Sequence, residues 1–187
     1  MANISMRPLQ HKPVRRHNPW VTRGFYLLLL VVVIWGVNAW RTKGVPAEAP
    51  AFEGVLVHGD ERSSAPVSLA DFRARHPGEA VALHFWAEWC PVCRTEENSI
   101  SRLLDDGLPV LTIATQSGDG DAVYATLRER GLHWPAVLDP DGRILEAYRL
   151  PGVPSFVVIA PDGSVSSAEM GYTSEIGMRL RLWLAGD

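Results

Sequence analysis

Residues 80–93 constrain the fold more than any other stretch of this chain. Ala80 to Ala87 is a near-continuous apolar run of strand length, as expected of a strand buried on both faces. The only two cysteines follow at once, in Phe85-Trp86-Ala87-Glu88-Trp89-Cys90-Pro91-Val92-Cys93. A strand that runs into a Cys-X-X-Cys opening a helix sets the first sulfur at the helix N-terminus, where free N–H groups and the macrodipole favour thiolate over thiol. Cys90 is therefore the candidate nucleophile. Cys93, one turn further in, is the candidate resolving cysteine that releases a mixed disulfide. Pro91 suits the first helical position, which needs no N–H and tolerates a fixed φ.

Two other uses of a cysteine pair compete with this one. Half a zinc site would need a second ligand pair, and the chain offers no further cysteine. A purely structural disulfide across so short a loop would constrain little of the unfolded chain.

The charge is divided unevenly along the 187 residues. Residues 1–44 carry Arg7, Lys12, Arg15, Arg16, Arg23, Arg41 and Lys43 and no acid, leaving eleven basic against twenty-one acidic side chains beyond, a net of −10. This balance argues against nucleic acid as a partner of the folded domain. Hydrophobic content of 47% with 21% charged residues suits a globular core.

Between Arg23 and Arg41, Gly24 to Trp40 holds 17 residues with no charge and one amide. At 1.5 Å per helical residue this covers roughly 25 Å of hydrocarbon, and it reads as a transmembrane anchor with Trp20, Tyr26 and Trp40 at the interfaces. A signal peptide is the alternative, with Ala47-Glu48-Ala49 as its cleavage site, but Pro50 and the long basic leader disfavour processing. Five basic residues precede the segment and two follow closely, so the positive-inside bias places the N-terminus in the cytoplasm. The expected organisation is a basic cytoplasmic segment at 1–23, an anchor at 24–40, a linker at 41–51 and a folded periplasmic domain at 52–187. Two cysteines, both in one motif and none spare, suit an oxidising compartment.

Within the domain, Phe52 to His58 reads as a first strand and Gly59 to Pro66 as polar loop. Ser68-Leu69-Ala70-Asp71 opens a short helix in capping-box fashion, ended by His76-Pro77-Gly78. The helix from Cys90 toward Asp106 places Ile100, Leu103 and Leu104 at helical spacing and stops at Gly107. A buried strand at Pro109 to Thr115, an amphipathic helix at Asp121 to Arg130 and a short strand at Trp134 to Asp139 follow. Ile144 to Leu150 reads as a short helix, Ser155 to Ala160 and Val165 to Met170 as a hairpin about Pro161-Asp162-Gly163, and Glu175 to Leu184 as a closing helix. The layout is α/β, a mixed central sheet flanked by helices, with the cysteines at the carboxyl end of a central strand.

The cysteine motif, taken with Gly152-Val153-Pro154-Ser155-Phe156, resembles the thioredoxin superfamily. That resemblance implies a thioredoxin fold in which a cis-proline loop, here at Pro154, faces the cysteine pair. Trp134 to Asp139 through Gly142-Arg143-Ile144 is similar to the insertion of the membrane-anchored TlpA/ResA/DsbE branch. The Cys-Pro-Val-Cys pair with one N-terminal anchor looks most like its ScsD subgroup, which is associated with suppression of copper sensitivity. The resemblance implies a thiol-disulfide oxidoreductase acting on client proteins that carry cysteines or disulfides, fed by another membrane or periplasmic thiol carrier, with no cofactor beyond the Cys90–Cys93 disulfide.

His84 stands six residues before Cys90, where thioredoxins carry a buried acid. It is either a base for Cys93 or a core histidine bonded to backbone. Trp89 is a candidate apolar rim for a client chain, with Pro91, Val92 and Val153 beside it, while Trp86 reads as core. Val153 and Pro154 would offer main-chain hydrogen bonds to a client strand. Glu88 either tunes the thiolate or is a solvated carboxylate. Leu150-Pro151-Gly152-Val153-Pro154-Ser155 departs from the loop of the cytochrome c maturation members, which puts an apocytochrome client out of the expected range. The alternative function is a copper-binding metallochaperone of thioredoxin fold, since soft thiolates suit Cu(I).

Overall fold

The computed structural model describes residues 19–41, 43–59 and 64–186. They fall into two units divided after Val37. The first holds most of helix α1 (Pro19–Arg41), 23 residues long, whose side chains from Phe25 to Val33 are each at least half exposed. Among the described residues no helix is long and apolar enough to cross a membrane. Arg7, Lys12, Arg15 and Arg16, the side chains of Trp20 and Trp40, and residues 60–63 of the expected loop lie outside those described.

The second unit runs β1 (Glu53–His58), β2 (Ser64–Ser68), α2 (Leu69–Ala74), β3 (Val81–Trp86), α3 (Pro91–Asp105) and β4 (Val110–Thr115). It continues with α4 (Gly120–Glu129), β5 (Pro135–Asp139), α5 (Arg143–Ala147), β6 (Ser155–Ile159), β7 (Val165–Met170) and α6 (Glu175–Gly186). One sheet in the order β2-β1-β5-β4-β3-β6-β7 joins all seven strands. The β3–β4 and β4–β5 pairs are parallel and the rest antiparallel, the mixed sheet that the sequence predicts.

Strand β3 is buried along its whole length because helices cover both faces. Ala82 and Trp86 pack with Ile100 and Leu103 of α3, Val123 and Leu127 of α4, and Met178 and Leu182 of α6. Val81, Leu83 and Phe85 pack on the opposite face with Leu69 and Phe72 of α2 and Ile144 of α5. Trp86 and Trp134 meet edge to face at 5.6 Å, worth about 0.5–1.5 kcal/mol beyond the area they bury.

Local chemistry sets the helix ends. Ser68 Oγ accepts the Asp71 N–H at 3.0 Å, completing the expected cap of α2. At the end of α3, Gly107 adopts φ 74°, so that its N–H reaches Leu104 O and the Leu108 N–H reaches Leu103 O. A left-handed glycine closes the helix in this way at no steric cost.

Two expectations need correction. Residues 64–66, read as loop, begin strand β2, in which Pro66 pairs with Val55; as an edge strand β2 tolerates a missing N–H. Helix α5 ends at Ala147, short of Leu150, and Arg149 takes φ 52°. The tail of the linker is bound to the domain: the Ala49 N–H donates to Gly163 O at 3.0 Å, and the Val165 N–H to Ala47 O at 2.7 Å.

Candidate active site

Cys90 lies at the carboxyl end of β3 as the N-cap of α3, with Pro91 at the first helical position. Its Sγ accepts the Cys93 N–H at 3.1 Å, so an unsatisfied donor of the first helical turn is aimed at the sulfur. The two cysteines are joined as a disulfide with Cα atoms 5.3 Å apart. Both residues are buried, at 3% and 2% exposure. A thiolate at Cys90 would keep the same N–H partner and gain from the positive end of the helix dipole.

Antiparallel pairing of β6 with β3 brings Ser155 opposite Phe85, which sets Val153 and Pro154 beside the turn that carries the cysteines. The Val153–Pro154 peptide is cis, as the resemblance implies. Val153 is half-buried and packs against the cluster that contains both cysteines, whereas Pro154 is buried. Trp89 is 59% exposed and Val92 45%, with Pro91 exposed between the cysteines. Of the four residues expected to contact a client, Trp89, Pro91 and Val92 are exposed, and half-buried Val153 packs against the cluster that holds the disulfide.

Three bonds hold the turn before Cys90. The Glu88 N–H donates to Ser117 Oγ at 3.1 Å, the Trp89 indole N–H to Gln116 O at 3.1 Å, and Arg130 donates to Glu88 O at 2.7 Å. Arg130 also pairs with Glu97 of α3 at 2.9 Å, clipping the turn to the helix beyond the cysteines. The Glu88 carboxylate is not freely solvated: it is half-buried and accepts from Thr126 Oγ1 at 3.3 Å.

His84 lies on the same side of β3 as Trp86 and is fully buried. Its Nε2 stands 3.2 Å from Glu96 Oε2, and its Nδ1 has no hydrogen-bond partner. The partner of this histidine is thus a buried carboxylate, where the sequence offered backbone as the structural alternative. Glu96 is 1% exposed, one turn beyond Cys93, and its Oε1 accepts the Thr173 N–H at 2.5 Å. Sequence reasoning missed Glu96 and Thr173. Among the described residues no group of three His, Cys, Asp or Glu side chains lies close enough together to hold a metal ion.

A protein chain with these parts has known counterparts. The AhpC/TSA family model matches residues 45–168. A thioredoxin-like protein of Haemophilus influenzae is 31% identical over 103 residues, 55% of this chain and 61% of that protein. The thiol-disulfide oxidoreductase ResA of Bacillus subtilis is 29% identical over 114 residues, 58% and 60% of the two chains, so the chain spans about three fifths of the length of both relatives. A thiol:disulfide interchange protein DsbE homolog of Paracoccus denitrificans is 30% identical over 177 residues, covering 86% of this chain and 97% of the relative. The fold matches that of a thioredoxin-family thiol:disulfide interchange protein from Chlorobium tepidum with TM-score 0.60 and 25% identity, over 76% of this chain and 97% of the other. The Bacillus subtilis and Paracoccus denitrificans relatives are named as a thiol-disulfide oxidoreductase and a thiol:disulfide interchange protein, and a helix-capping cysteine pair beside a cis-proline is consistent with an enzyme of that type. With most of the folded unit matched, the chain belongs to the AhpC/TSA family and has its thioredoxin-like fold.

Proposed function

We propose that this chain is a membrane-tethered thiol-disulfide oxidoreductase of the TlpA/ResA/DsbE type, ScsD-like, that reduces client proteins on the periplasmic side of a bacterial inner membrane. The observation that carries the reading is the Cys93 N–H aimed at Cys90 Sγ from the first turn of α3, beside the cis Val153–Pro154 peptide. Residues 24–40 form the anchor, 41–51 the linker and 52–187 the catalytic domain, with 1–23 in the cytoplasm.

In the reduced enzyme the Cys90 thiolate attacks a client disulfide. The Cys90–client S–S bond forms, the client bond breaks, and the leaving sulfur departs as a thiolate that takes a proton. The client backbone lies along Val153 and Pro154, and its flanks rest on Trp89, Pro91 and Val92. Cys93 then gives its proton to the buried His84–Glu96 pair and attacks Cys90 Sγ, expelling the client's second sulfur, which takes up a proton. The client gains two electrons and two protons, and the enzyme is left with the Cys90–Cys93 disulfide. A dithiol carrier protein restores the reduced pair by the same exchange in reverse. Cys90 and Cys93 carry the chemistry without another cofactor.

Insulin reduction tests this reading directly. With dithiothreitol as the electron source, the full chain is expected to speed precipitation of the insulin B chain, and Cys90→Ser to return it to the rate of dithiothreitol alone. A wild-type rate no faster than that of dithiothreitol overturns the proposal.

A further inference from the structure

We propose that the outward face of α6 is a homodimer interface, on which Ile176, Leu180, Trp183 and Leu184 pack against the same stripe of a second copy of this chain. The inference goes beyond the oxidoreductase reading and does not depend on it. Met178, Leu182 and Ala185 form the inner face of α6 and are buried in the core. The opposite face holds Ile176, Leu180, Trp183 and Leu184, exposed at 79%, 50%, 63% and 59%. A surface helix ordinarily turns polar side chains to water on that side. Of the eight exposed large apolar side chains described in the folded unit, four lie in this one stripe, so the exposure is concentrated rather than scattered.

The spacing of the stripe selects a helix as its cover. Ile176, Leu180 and Trp183 follow one another at four and then three residues, the seam repeat of paired helices. A second copy supplies an identical seam, and a two-fold axis passing by Leu180 lays the stripe on itself. The four exposures amount to roughly 500 Å² of largely apolar surface per copy, so a pair buries about 1,000 Å², the size at which a specific interface begins.

The charges beside the stripe fit a like partner. Arg102 and Arg179 both pair with Glu175, Arg179 also pairs with Asp106, and Arg181 pairs with Glu169. Two identical rims of paired charges meet without net repulsion, and these three arginines are already taken up by carboxylates rather than offered to anionic lipid headgroups. The chain's own linker does not cover the stripe. Val45 and Ala49 pack on the face of the sheet that carries α2 and α5, whereas α6 lies on the other.

Sedimentation equilibrium of the full chain in density-matched detergent should give twice the chain mass at micromolar concentration. Leu180→Glu sets two like charges together at the axis and should weaken the dimer about 100-fold, while Leu180→Met should preserve it. A second measurement does not need the dimer to be broken. With Cys90→Ser and Cys93→Ser in place, Leu180→Cys should form an interchain disulfide under a mild oxidant, whereas Glu146→Cys, exposed on α5, should not. A wild-type chain at single mass leaves the stripe to lipid or to a different protein and overturns the proposal. A dimer indifferent to Leu180→Glu, or equal cross-linking at both positions, overturns the assignment to α6. Neither readout uses catalysis, so a failure to reduce insulin bears on the oxidoreductase reading alone.

Discussion

Replacing Glu96 by Gln keeps the size of the buried group and its acceptor for the Thr173 N–H, but removes the carboxylate beside His84 Nε2. If the pair serves the resolving step, Glu96→Gln should leave the first attack by Cys90 nearly unchanged and slow release of the client about 100-fold. Acid-quenched single-turnover reactions read this as accumulation of the mixed disulfide, and equal slowing of both steps would remove Glu96 from the mechanism. Glu96→Ala also strands the Thr173 N–H and should cost a further ~1–3 kcal/mol of stability. His84 could be singled out from sequence by its place before Cys90. Glu96 could not, since a glutamate in an amphipathic helix reads as solvent-facing and its partners come from a strand twelve residues earlier and a loop 77 residues later. Arg130 was hidden for the same reason, because its two contacts join segments 33 and 42 residues away.

Elements with a single dominant signal were legible and those set by tertiary pairing were not. The apolar run of β3, the Ser68 cap and the Gly107 stop are local, and each appears where the sequence places it. Strand β2 has one strongly apolar residue, Val67, and a proline, and it becomes a strand because β1 supplies a ladder. Helix α5 is short, and Asp139 holds its start through bonds to the Ile144 and Leu145 N–H groups. Just beyond it Tyr148 is fully buried, 5.6 Å from Phe85, and its hydroxyl donates to Pro50 O at 3.1 Å. Burial pushes the phenol above the usual tyrosine range, and nearby Arg73 offsets this only in part. The unfolded chain loses that proton near pH 10 while the folded chain keeps it, so the contribution is intact below about pH 10 and declines as pH rises past it. Urea titrations should show Tyr148→Phe about 1 kcal/mol less stable at pH 7, from the lost hydrogen bond, yet with a shallower decline between about pH 10 and 11.5 than wild type. A parallel decline in both chains would mean that Tyr148 ionises in the folded state as freely as in the unfolded one.

Under the proposed anchor at 24–40, the five basic residues before it would be retained on the cytoplasmic side and the acidic domain would lie across the membrane. The proposed tether would also confine exchange to partners that reach the membrane surface. This has a consequence for redox state, since a pair supplied with electrons by a membrane dithiol carrier is kept reduced in a compartment that oxidises exposed thiols. Intact cells quenched in acid and labelled with a mass-tagged maleimide should therefore show Cys90 and Cys93 mostly as free thiols. Alkaline carbonate should leave the chain in the membrane pellet, and protease added to spheroplasts should remove the domain beyond residue 52. A chain washed off by carbonate has no anchor at 24–40. A pair found mostly as the disulfide reverses the direction of flow, making Cys90–Cys93 a donor of disulfides to clients that arrive reduced, with the same groove and the same two sulfurs.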